Sequence, residues 1–206
     1  MDDILRQVAL EEAPATRSKD LSARSNQRIE VKIARGLDDL LMVYSIRAAV
    51  YMAEQNHLYA EQFDGNDHCA THFVGFVDGE PAGCLRVRFF ADFCKGERMA
   101  VLKQYRKTGL AIKIAKHGFE YARRKGYTKF YGQALEGVEN FWARFGGKQI
   151  GERFSFRGQS CIGVLGEFPP VEDRISLESA PMVLSRPEDD WDRPGILELS
   201  SARAAR

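Results

Sequence analysis

From Ile29 to Phe168 the apolar positions switch between a two-residue period and one of about 3.6, and each switch marks an element. IEVKIA alternates cleanly and predicts a strand. Gly36 and the acidic pair Asp38-Asp39 then open a helix, because carboxylates suit the positive end of its dipole. Through LLMVYSIRAAVYMAEQN a stripe of Leu41, Tyr44, Ala48 and Tyr51 predicts that helix to continue, until the turn residues of FDGND. THFVGFV and AGCLRVRFF, joined by Asp78-Gly79-Glu80-Pro81, predict a hairpin; in its second strand Leu85, Val87 and Phe89 alternate with Arg86 and Arg88. GERMAVL (96–102) predicts another strand, with Glu97, Met99 and Val101 on one face. A helix follows Gly109, apolar along Leu110, Ile114, Gly118 and Tyr121, and ends in Arg123-Arg124-Lys125-Gly126. TKFYGQAL predicts a strand, VENFWARFGG a short helix, and KQIGERFSF with QSCIGVLGEF a last hairpin. The order β-α-β-β-β-α-β-α-β-β implies an α+β fold, one mixed sheet with helices on both faces.

The flanks read differently. Residues 1–28 are polar, lack a stable period and predict a flexible N-terminal arm. Residues 169–206 are rich in Pro and acid yet keep Met182, Val183, Leu184, Trp191, Ile196 and Leu197, which predicts a tail packing on residues 29–168 or on a partner subunit. Charge excludes some classes. With 30 Lys+Arg against 29 Asp+Glu the net charge is +1, without the basic excess of a general nucleic-acid or membrane-surface binder. No apolar run approaches the roughly 20 residues that span a bilayer, and MDDILRQVALEEAP lacks a signal pattern, so a cytoplasmic protein is expected. Cys69, Cys84, Cys94 and Cys161 form no zinc spacing, and His72 falls within a strand pattern, so no metal is expected.

The candidate chemistry sits where the strand ending in Met99-Ala100-Val101 runs into Tyr105-Arg106-Lys107-Thr108-Gly109-Leu110-Ala111. The first N–H groups of a helix have no intrahelical partner, so a phosphate there accepts several bonds, with two cations beside it. One glycine excludes both the P-loop and the dinucleotide fingerprint. Arg106 to Ala111 resembles the R/Q-x-x-G-x-G/A signature of GNAT-type N-acetyltransferases, and Phe141-Trp142-Ala143-Arg144-Phe145-Gly146 is similar to the family's FYxxxGF segment. Val50 to Asn56 followed by Phe63-Asp64-Gly65-Asn66-Asp67, with Gln133 to Trp142, resembles the ElaA-like branch.

The resemblance implies an α/β/α sandwich around a mostly antiparallel mixed sheet, acetyl-CoA as acyl donor, a small-molecule or peptide amine as acceptor, and a homodimer as an open option. It also implies roles: Arg106, Lys107, Thr108, Gly109, Leu110 and Ala111 on the pyrophosphate, Met99, Ala100 and Val101 on the pantetheine arm, and Phe141 and Trp142, with Phe145, as core or as lining of the CoA cleft. Glu97 stands where many members place a water-mediated base; the other reading is a carboxylate paired with Arg88 or Arg98. The family's acidic tyrosine is Trp142 here, which has no practical proton to give, and Tyr131 or Tyr105 are the substitutes. Arg47, Tyr51, Asp64, Asp67 and Arg86, taken as acceptor-binding, also resemble, together with Arg98, the charged set of acyl-homoserine-lactone and N-acyl amino acid synthases, although Lys95 replaces a glutamate of that set; a structural ion-pair network is the other reading. A non-catalytic acyl-CoA-binding module is the remaining alternative.

Overall fold

The computed structural model describes residues 27–204, so the arm expected over 1–28 lies outside the described residues except for its last two. Seven strands form one sheet: β1 (Ile29–Ile33), β2 (Thr71–Val77), β3 (Glu80–Phe89), β4 (Cys94–Val101), β5 (Lys129–Leu135), β6 (Lys148–Phe156) and β7 (Gln159–Glu167). Their order is β1-β2-β3-β4-β5-β7-β6, antiparallel everywhere except β4 beside β5. This is the mostly antiparallel, helix-flanked sheet expected.

Strand alternation sorts consecutive residues onto opposite faces. Phe73, Leu85 and Val87 pack with Leu110, Ile114 and Phe119 of α3 (Leu110–Arg124), whereas Val74, Cys84 and Ala100 pack with Val43, Ile46 and Val50 of the first helical segment. That segment differs from expectation. An α-helix, α1 (Leu37–Arg47), passes into a π-helical turn, Ala48–Glu54. The buried stripe runs through Val43, Ile46 and Val50, while Leu41, expected to be buried, is 52% exposed. The wider turn adds a residue per turn, which the sequence period does not announce. Short helices α2 (Tyr59–Gln62) and α4 (Glu139–Ala143) complete the domain. Among the described residues no helix is long and apolar enough to cross a membrane.

The tail lies along the outer side of α3. Trp191 is buried, stacks on Tyr121 with centroids 5.4 Å apart and carries the Arg124 guanidinium over its ring. Around it Arg124 pairs with Asp192 at 2.8 Å, His117 with Asp189 at 2.6 Å and Arg35 with Asp190 at 2.5 Å. Two further helices, α5 (Pro181–Leu184) and α6 (Ile196–Ala204), end the strap. Trp191→Ala is expected to cost about 2 kcal/mol, below the usual Trp→Ala loss because the strap can detach without opening the sheet. Limited proteolysis should then cut within 169–204 first; uncut tails at wild-type rates would contradict this packing.

Candidate active site

β4 ends in a tight connector. Lys107 and Gly109 both adopt left-handed backbone, with φ of 71° and 88°. The Thr108 hydroxyl ties the turn, donating to the Tyr105 carbonyl at 2.8 Å and accepting from the Leu110 N–H at 3.3 Å. Nothing lies within 4 Å of where a Gly109 side chain would begin, so the corner is open. The next N–H groups of α3, those of Ala111 and Ile112, have no intrahelical acceptor by helix geometry and lie at the positive end of the dipole. Lys107 is exposed beside them. Arg106 is already engaged: its Nε donates to the Val101 carbonyl at 3.0 Å, and its other end pairs with Glu54 of the π-helical turn at 2.6 Å.

The sheet parts just before this corner. β4 and β5 pair only at Cys94 with Phe130, Lys95 with Tyr131 and Gly96 with Gly132. Beyond that point β4 stays on β3 while β5 stays on β7 as far as Leu135 opposite Cys161, which leaves a V between them. Trp142 is buried on the α3 side beneath the vertex, its ring 3.8 and 4.0 Å from where side chains at Gly96 and Gly132 would begin. Phe141 packs edge-on against it. Tyr131 lies on the opposite face, half-buried, edge-on to Phe93.

A bulge corrects one expectation. Cys84 faces Ala100 and Arg86 faces Glu97, so two steps of β3 span three of β4, and Arg98 takes up the extra residue at φ 55°. Glu97 therefore faces α1 with Arg86, while Met99 and Val101 pack on the α3 side; they do not share a face. The main chain of β4 is re-aimed as well. Leu102 N–H bonds the Ala82 carbonyl of β3, so the amide and carbonyl of Val101 point away from β3, into the V. The Met99 carbonyl receives the Tyr51 hydroxyl at 2.7 Å, and burial raises the pKa of that phenol, keeping it a donor.

The α1 face of the V holds the charged set. Arg47, fully buried, donates to Asp67 at 2.6 Å and to the Gln62 carbonyl at 2.5 Å. Arg86, also buried, reaches Asp64 twice at 2.7 Å, Asp67 at 2.8 Å and Glu97 at 3.0 Å. Arg98 adds a bond to Asp64 at 3.0 Å, and Lys95 takes the second oxygen of Glu97 at 2.9 Å. Bonds from Arg86 hold the Asp64 carboxyl well below its usual range; burial pushes Asp67 up, but bonds from Arg47 and Arg86 outweigh it. His72 sits beneath, burial lowering its pKa, with Nε2 at 2.9 Å from the Asp67 carbonyl.

The structure thus brings Arg47, Asp64, Asp67, Arg86 and Glu97 into one network, with Tyr51 beside it on the Met99 carbonyl, and leaves Trp142 in the core. Glu54, Gln62, His72 and Arg88 carried no expectation as site residues. Only their place in the fold gives them a role, because single polar residues in helical or strand patterns look solvated.

The model of the acetyltransferase (GNAT) family matches residues 40–146. The uncharacterized N-acetyltransferase YjcF of Bacillus subtilis is 27% identical over 121 residues, 59% of this chain and 86% of that protein. Among solved structures, Escherichia coli ElaA superposes with a TM-score of 0.62 at 21% identity, over 68% of this chain and all of its own. FeeM, an N-acyl amino acid synthase from uncultured soil microbes, gives 0.60 at 13% identity, over 68% of this chain and 90% of its own, a likeness of fold. Matched over half its length and built on a parted sheet that opens onto a glycine-turned helix, the chain belongs to the GNAT acetyltransferase family and is an acyltransferase.

Proposed function

We propose that the protein transfers an acetyl group from acetyl-CoA to a primary amine by direct attack within a ternary complex. The observation that carries this reading is the continuity of the V with the open Gly109 corner: the stretch of β4 that β5 leaves unpaired leads straight to the α3 N-terminus. One acetyltransferase of the family, from Elizabethkingia anophelis, has been crystallised with acetyl-CoA bound. The amine nitrogen bonds the thioester carbon, the C–S bond breaks, and coenzyme A leaves with the electron pair while the amine proton passes to solvent.

Each part of the chain has a share in this. The α3 N-terminus, Lys107 and Thr108 hold the diphosphate, and Met99 to Val101 offer strand backbone to the arm and an amide to the developing oxyanion. An alkylammonium with a pKa of about 10.4 must lose a proton before attack. Glu97 keeps lone-pair capacity on the oxygen that receives only Lys95, enough for the water that takes this proton. Tyr131, at the vertex, gives a proton to the departing thiolate, a light duty for a leaving group near the cysteine pKa of about 8.5.

Calorimetry with acetyl-CoA, followed by thiol release over an amine panel, tests the proposal; failure of CoA to bind would end it. Glu97→Gln is expected to lower kcat about 10²-fold and flatten its alkaline rise, with CoA affinity unchanged. A wild-type pH–rate profile would remove Glu97 from this duty.

A further inference from the structure

Charge on the α1 face of the V does not balance. Arg47, Arg86, Arg88, Lys95 and Arg98 converge on three carboxylates, Asp64, Asp67 and Glu97; nearby Glu61 is taken by Arg157. Arg47 and Arg86 are buried and saturated. The shortfall falls on the other three, whose side chains are 19–25% exposed. Arg88 and Lys95 stand directly opposite each other across the β3–β4 ladder, a repulsive placement, and share only Glu97 at 3.7 and 2.9 Å. Arg98, swung out by the bulge, keeps a buried Nε–H with no acceptor. A buried donor without an acceptor calls for an explanation, and an anion seated beside it is one.

Resting on the transferase reading proposed above, in which Glu97 lies beside the attacking amine, we infer that the acceptor amine carries a carboxylate, which seats against Arg98, Lys95 and Arg88. Such a zwitterion presents its ammonium to Glu97 and its carboxylate to the cations around it, so one flexible molecule is oriented by opposite charges a few ångströms apart. Charge-assisted bonds of this kind are the strong ones, and a second carboxylate beside Glu97 relieves the Arg88–Lys95 repulsion.

The test uses the full chain saturated with CoA. The twenty common L-amino acids and γ-aminobutyrate are titrated by calorimetry beside their amides, and the same set is assayed with acetyl-CoA for thiol release. At least one carboxylate-bearing amine should bind and react, its amide about tenfold or more weaker. Lys95→Met should erase that discrimination while CoA affinity holds, and Lys95→Arg should restore it. Amides that bind as well as acids, or a CoA complex that takes up no member of the set, would overturn the inference. Should CoA itself fail to bind, the same titration on the free protein decides. Lys95-dependent binding of the acids would uphold the carboxylate site without the transferase reading, and its absence would overturn both.

Discussion

Gly109→Glu is expected to weaken CoA binding about a thousandfold while the protein remains folded. The glycine stands at φ 88° with open space around it, so a side chain meets no wall, only the strain of a left-handed backbone at about 1 kcal/mol. What it removes is the anion site. The new carboxylate occupies the space before the α3 N-terminus, takes its N–H groups and repels a diphosphate. Two lost bonds to a charged group amount to about 4 kcal/mol, which is the thousandfold. Gly109→Ala separates the causes: it bears the strain without the charge, so its affinity should fall only slightly. Calorimetry on both variants decides, and a Gly109→Glu protein that binds CoA normally would remove the turn from the site.

Arg86→Met should be the most destabilising single change on the α1 face, by about 3 kcal/mol at pH 7. Arg86 is 1% exposed and serves three carboxylates, which methionine would leave facing one another in a partly dry pocket. Arg47, Arg98 and Lys95 each retain one of them, which keeps the loss near the lower end for a broken buried pair. The pH dependence has a definite sign. Asp64 and Asp67 have folded pKa values below the unfolded value of about 3.9, so their contribution is fully present above it and fades as pH falls through the folded values. Without Arg86 that contribution shrinks. The gap between wild type and variant should therefore be widest near neutrality and narrow below about pH 4. Denaturant midpoints at pH 7 and pH 3 measure it; coincident midpoints at pH 7 would show that the network carries no stability.

The faces of β3 were legible because Arg86 and Arg88 alternate with Leu85 and Val87, and a strand can hide only one of those sets in an apolar layer. The Gly109 corner was legible because glycine at a strand-to-helix junction has few other uses. The bulge was not. Arg98 bears no mark of a left-handed residue, and one inserted position turns the remainder of β4 over without altering its composition, so Glu97 and Met99 were expected on one face. The π-helical turn hid in the same way, since the apolar content of Ala48–Glu54 suits an ordinary helix; that Val43 and Ile46 are buried in place of Leu41 is a separate matter of which face α1 turns to the sheet. Trp142 was expected as core or as lining of the CoA cleft, and its position near the FYxxxGF segment could not choose between them; in the structure the ring is buried beside Gly96 and Gly132 and fills the gap that they leave.

The three residue pairs that join β4 to β5 make the sheet two leaves held along one short seam. One leaf, β1 to β4, leads into the Gly109 corner and carries Glu97; the other, β5 to β7, carries Tyr131. In the reading proposed above, the interval between Glu97 and Tyr131 is held by this seam, which the Trp142 indole backs from the α3 side. A slimmer residue at 142 would let the leaves swing and alter that gauge without touching either group.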